Sequence, residues 1–118
     1  MSDARATAID RLRDMVGAAR SIESYTARGR DVFDTDSAIR DAILYQIVVL
    51  GEAAKAVVRA DVELADELSE VEWSLLARMR DRVAHRYWET DHDIVWATAT
   101  TDIPTLRRML STVVERLG

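Results

Sequence analysis

Residues 37–60 read SAIRDAILYQIVVLGEAAKAVVRA, and this stretch decides the fold. Ile39, Ile43, Ile47, Leu50, Ala54 and Val57 recur at steps of three and four, the spacing of one helix face. Leu44, Val48 and Val58 widen that stripe well beyond one face. A helix apolar on most sides is buried on most sides. In a chain of 118 residues this predicts a central helix with a second partner surface, such as another subunit. Thr35, Asp36 and Ser37 offer caps for its start, and it should end near Ala60.

The flanking segments repeat the helical period. Ile9, Leu12, Val16, Ala19 and Ile22 predict a first helix from about Ala4 to Ala27, stopped near Gly29. Arg28 to Asp34 then reads as a short polar connection around Val32 and Phe33. Asp61 to Glu70 is acidic, with Leu64 and Leu68 as apolar anchors, and suits a short helix or turn. Ser69 with Glu72 three residues later forms a capping box for a helix from about Val71 to Tyr87. Leu75, Leu76, Met79, Val83 and Tyr87 are its expected core stripe. Glu89 to Asp93 is a polar break with Asp91 as cap. The last helix should run from His92 to Leu117 along Val95, Thr98, Leu106, Met109, Leu110, Val113 and Leu117. Pro104 cannot donate to the carbonyl four residues back, so a kink or restart is expected between Thr101 and Pro104. No period-two pattern and no repeat appears. The expectation is one all-α domain covering residues 1–118.

Composition removes several functional classes. Cysteine is absent, which excludes disulfides, thiolate metal sites and a cysteine nucleophile. Charged residues crowd the N-terminus (Asp3, Arg5, Asp10, Arg11, Arg13, Asp14), unlike a secretory signal. The most apolar run, Ala42 to Val58, is interrupted by Gln46, Glu52 and Lys55 and falls short of the ~20 residues of a membrane span. A cytoplasmic protein without a membrane segment is expected. The net charge of −5 does not suit a broad basic nucleic-acid coat, but it allows a local basic site.

Such a site occurs at residues 78–88, RMRDRVAHRYW, where four Arg face a single Asp. His85 lies among them, and a neutral imidazole can exchange a proton near pH 7. The arginines can grip a phosphate and stabilise charge on a transferring phosphoryl group. Arg80 and His85 are five apart, roughly 140° round a helix, so they do not stack on one face. They converge only if the helix ends near His85 or if two chains each contribute a set. The bland alternative is a solvated arginine face (Arg78, Arg82, Arg86), a packed Tyr87 and a chance R-x4-H spacing. The other histidine, His92, falls in the polar break. The glycines are isolated, so no phosphate loop exists, and no carboxylate–histidine ladder points to a metal. No metal or cofactor is expected.

Taken together, the run from Trp73 to Trp88, WSLLARMRDRVAHRYW, resembles the signature of HepT-type toxins of the HEPN superfamily, with Arg80, Asp81, His85 and Tyr87 in the motif positions. Gly51–Lys55 (GEAAK) resembles the family's Gly-Glu-Ala segment, which makes Glu52 an accessory position. Asp91–Trp96 (DHDIVW), followed by Asp102, Pro104 and Leu106, resembles its last helix. The resemblance covers residues 36 to 117 in matching order.

It implies an up-and-down bundle of four or five helices that homodimerises, with Arg80 and His85 of both chains in a cleft at the seam. It also implies metal-independent endoribonuclease activity. The RNA 2′-OH attacks the adjacent phosphorus, leaving a 2′,3′-cyclic phosphate and a 5′-OH. His85 would be the general acid/base. Arg80 would orient and stabilise the phosphorane, and Asp81 would support them. Arg78, Arg82 and Arg86 are expected RNA contacts. The implied partner is a nucleotidyltransferase antitoxin that transfers AMP to Tyr87. The competing reading is a non-catalytic helical dimer serving as an interaction module for that partner. A small transcription regulator fits less well, because the chain is acidic and lacks a helix-turn-helix.

Overall fold

Residues 37–60 form the helix that the rest of the chain is built around. In the computed structural model, which describes residues 2–86 and 89–118, the first long helix, α1, is Asp3–Thr26. A one-turn helix, α2, follows at Arg30–Thr35, and then the predicted helix, α3, at Ser37–Ala60. Next come α4 (Val62–Glu67), α5 (Trp73–Arg86), α6 (His92–Ala97), a π-helical turn (Thr98–Asp102) and α7 (Ile103–Leu117). No strand occurs among the described residues, so the chain is all-helical. The Cα radius of gyration is 14.3 Å.

The layering follows from the apolar stripes. α3 packs along α1 on one side and along α5 on the other, and α7 covers α1. Ile39, Ile43, Ile47, Leu50, Ala54 and Val57 are all buried, against Leu12, Met15 and Ile22 of α1 and Leu76 and Val83 of α5. Leu44 and Val48 stay half-buried, so the widened stripe is only partly covered within one chain. Asp36 caps α3 by accepting from the Ala38 N–H at 3.0 Å. Arg107 of α7 pairs with Glu23 of α1 at 3.2 Å, and Arg5 of α1 pairs with Asp61, the N-cap of α4, at 2.9 Å.

Three local expectations need correction. The polar connection at Arg28–Asp34 contains α2, because Phe33 turns inward onto Trp96, with ring centroids 5.2 Å apart, and is fully buried. Gly29, at φ +98°, supplies the left-handed step between α1 and α2. The Ser69 capping box does not form. Leu68 and Val71 are both buried and joined by a tight turn (Val71 N–H to Leu68 C=O, 3.1 Å), so the helix starts only at Trp73, with the Leu76 N–H reaching the Glu72 carbonyl. Leu75 is 48% exposed and leaves the core stripe, while Leu76 and Val83 stay in it. Tyr87, the last member of that stripe, lies outside the described residues.

The interruption near Pro104 takes a definite form. The Ile103 N–H reaches back five residues to Thr98, and α7 starts with Pro104 in its first turn, where a missing N–H costs no helical bond. Asp91 caps α6 by accepting from the N–H groups of Asp93 and Ile94. Among the described residues no helix is long and apolar enough to cross a membrane.

Candidate active site

The site begins where α5 is fastened. The Trp73 indole N–H donates to the Ala65 carbonyl at 3.0 Å, so the aromatic ring pins the first turn of α5 to α4. Leu76 and Val83, two helical turns apart, then press α5 onto α3. Gly51 of α3 makes this approach possible. A Cβ at residue 51 would overlap the Arg80 Cβ and lie 2.8 Å from the Leu76 carbonyl oxygen. The helices meet at that glycine, and Arg80 leaves α5 directly over it.

Four charged side chains converge there. Arg80 Nε lies 2.9 Å from Glu52 Oε2, but the N–H is not aimed at that oxygen, so the pair is a close ion pair and not a hydrogen bond. Arg80 Nη1 donates to Asp81 Oδ1 at 3.2 Å, and Lys55 Nζ donates to the same oxygen at 3.2 Å. The Arg80 side chain is three-quarters covered, with a relative exposure of 25%. The Asp81 carboxyl is held below its ordinary range, first by the hydrogen bond from Lys55 and then, against a smaller desolvation effect, by Arg80. Arg59 Nη2 lies 4.0 Å from Glu52 Oε1 at the rim, so three cations and two anions leave the cluster formally +1.

His85 is exposed on the last described turn of α5. The helix is regular through Arg86, so the angular separation of Arg80 and His85 persists within one chain. Asp81 and His85, four residues apart, lie on one face. Arg78 and Arg82 are exposed, and Arg86 pairs with Glu89 at 3.3 Å. The structure therefore brings Arg80, Asp81 and Glu52 together and leaves His85 outside their contacts. His92 is elsewhere, edge-on to Phe33 at 6.0 Å. Tyr87 is outside the described residues. In the sequence Lys55 interrupts an apolar run and closes the Gly51–Lys55 segment, with no role of its own. Its spacing from Glu52, three residues along α3, is the signal that the two share a face.

Beside Arg80, toward the C-terminal end of α5, α3 and α5 leave an apolar cleft of about 340 Å³, lined by Asp41, Leu44, Tyr45, Val48, Val83 and Ala84. Tyr45 is 65% exposed at its rim. A larger opening, about 530 Å³, lies at the other end of the molecule between Arg5, Asp61 and Leu117, away from this chemistry. No group of three or more His, Asp or Glu among the described residues is placed to hold a metal ion.

The family described as Ribonuclease HepT-like matches residues 15–113, which include every element of this cluster. The chain belongs to that family. A Thermococcus cleftensis protein named "Probable ribonuclease HepT" is 31% identical over 102 residues, covering 83% of this chain and 87% of its own. A Methanocaldococcus jannaschii protein named "Gamma-glutamylcyclotransferase and putative RNase" is 30% identical over 97 residues, covering 81% of this chain. The chain spans only 42% of that protein's length. A third relative, a Caldanaerobacter subterraneus subsp. tengcongensis protein named "Putative RNase", is 27% identical over 84 residues, covering 71% of this chain and 72% of its own. No solved structure gives a significant match.

Proposed function

We propose that this HepT-like chain is the toxin of a two-component toxin–antitoxin system, a homodimeric endoribonuclease that cleaves RNA in the cytoplasm without a metal ion. The observation that carries this reading is the half-buried Arg80, clamped by Glu52 and Asp81 on a helix whose exposed face bears Arg78, Arg82 and His85. A planar guanidinium flanked by carboxylates at Nε and Nη1 keeps Nη2 to offer to a phosphate oxygen. Arg80 stabilises the charge that develops as the 2′-oxygen bonds to phosphorus. His85 takes the 2′-OH proton and returns a proton to the departing 5′-oxygen. The products are a 2′,3′-cyclic phosphate and a 5′-OH.

The 140° between Arg80 and His85 is the reason a dimer is part of the reading. A second chain placed on the apolar cleft at Leu44, Tyr45 and Val48 covers the part of α3 that one chain leaves open, and it brings a second Arg80–His85 set to the same seam. The partner antitoxin is a nucleotidyltransferase. The Tyr87 phenol oxygen displaces pyrophosphate from ATP, and the resulting AMP adds negative charge beside the arginines that repels RNA.

The test is product chemistry. Purified dimer incubated with a defined RNA in excess EDTA is expected to yield fragments ending in 2′,3′-cyclic phosphate and beginning with 5′-OH. Fragments with 3′-OH and 5′-phosphate ends would contradict the mechanism. A second reading, a non-catalytic dimer that holds its partner through the acidic segment at residues 61–70, predicts the same dimer and no fragments.

A further inference from the structure

The array around Arg80 contains one member that the catalytic reading leaves without a role. Lys55 is the only lysine in the chain, against fifteen arginines. It sits on α3 three residues after Glu52, and its Nζ shares Asp81 Oδ1 with Arg80 Nη1, each at 3.2 Å. Asp81 is therefore gripped from two sides through a single oxygen. A carboxylate beside a lone guanidinium favours a two-pronged pair that occupies two N–H groups. Here only Nη1 is engaged by Asp81 and Nε faces Glu52, while Nη2 has no partner among the described residues.

We propose that Lys55 is a positioning residue for the Arg80 site: it holds the Asp81 carboxylate toward α3, so that Asp81 orients Arg80 through one N–H and Nη2 is left to a phosphate oxygen of the RNA. The inference rests on the ribonuclease reading. Glu52 has a second cation, Arg59, at 4.0 Å, but Asp81 has only Lys55 and Arg80 among the described residues. Without Lys55 the Asp81 carboxylate is free to close a two-pronged pair on the guanidinium, and an incoming phosphate must displace it before it can bind. The depressed titration of Asp81, to which Lys55 contributes most, agrees with this placement. As an exposed ion pair alone, Lys55–Asp81 would contribute little to stability.

The test compares the full-length parent with Lys55→Met and Lys55→Arg. Cleavage rates are measured across RNA concentration, and the Asp81 carboxyl is titrated by ¹³C NMR. Lys55→Met is expected to lower kcat by roughly 10–100-fold, the scale of a misplaced catalytic group. Its circular dichroism and dimer mass should match the parent, and its Asp81 midpoint should move upward. Lys55→Arg, which keeps the charge and the donors, is expected to recover most of both. A mere loss of attraction for RNA would raise KM and leave kcat unchanged, and that result overturns the proposal. An unmoved Asp81 midpoint in Lys55→Met overturns it as well. A parent that cleaves no RNA refutes the ribonuclease reading instead, and the titration then still decides whether Lys55 holds Asp81.

Discussion

Gly51 of α3 lies directly beneath Arg80 of α5, with no room for a Cβ between them. Arg80 is thus placed by the absence of a side chain on the neighbouring helix. Gly51→Ala must push Arg80 Cβ and the Leu76 carbonyl outward, and a backbone carbonyl in a packed helix gives little. The expected cost is about 1–3 kcal/mol of stability, seen as a lower urea midpoint at unchanged m-value. RNA cleavage should fall by more than that loss explains, because the Glu52 contact separates at the same time. Parent-like stability and activity in Gly51→Ala would show that the helices do not meet there.

Trp73 acts at the other end of α5. Trp73→Phe keeps most of the ring but removes the donor to the Ala65 carbonyl, and Ala65 is buried. That carbonyl keeps a bond from the Leu68 N–H at 3.2 Å, so the loss is that of one net hydrogen bond, roughly 0.5–1.5 kcal/mol. Hydrogen exchange should report faster opening of the first turn of α5, with α1 and α3 unaffected. Unchanged protection in that turn would contradict the anchoring role.

Acid should loosen the same region from a different direction. Asp61 is held below its ordinary range by the Leu64 N–H and then by Arg5, and Asp81 is held down by Lys55 and then Arg80. A carboxyl whose folded pKa is depressed contributes stability that is fully present above its unfolded value, about 3.9, and is lost as pH falls through the folded value. Stability from these two groups is therefore expected to be constant from pH 7 to about pH 5 and to decline below about pH 4. Denaturation of the parent and of Asp61→Asn across pH 3–7 checks this. The variant should show a shallower acid slope, and equal slopes would remove Asp61 from the account.

Most of this architecture could be read from α3. Its stripe at Ile39, Ile43, Ile47, Leu50 and Val57 names both the helix and its central place, since packing an apolar face is what a helical period encodes. Pro104 announced the break that appears as a π turn. What the sequence hid depends on tertiary contact. Phe33 makes α2 a helix by docking on Trp96, which is 63 residues away in the chain. Ser69 lost its capping role because Leu68 and Val71 both had to reach the core. In the site, Arg80 could be nominated from the local arginine cluster, and Asp81 and Glu52 from the family resemblance; the structure brings the three together. Lys55 could not be nominated, because its meaning comes from an Asp on another helix, 26 positions later. Gly51 showed no turn signal, since its purpose is a close crossing and not a bend.

The central claim is that His85 and Arg80 cleave RNA without a metal. The most direct measurement incubates the purified parent, His85→Ala and Arg80→Ala with total cellular RNA in excess EDTA, after mass spectrometry shows Tyr87 unmodified and light scattering shows equal dimer mass. The account predicts cleavage by the parent and a loss to background in both variants. Cleavage retained in either variant, or a parent that cuts only when divalent metal is restored, would contradict it.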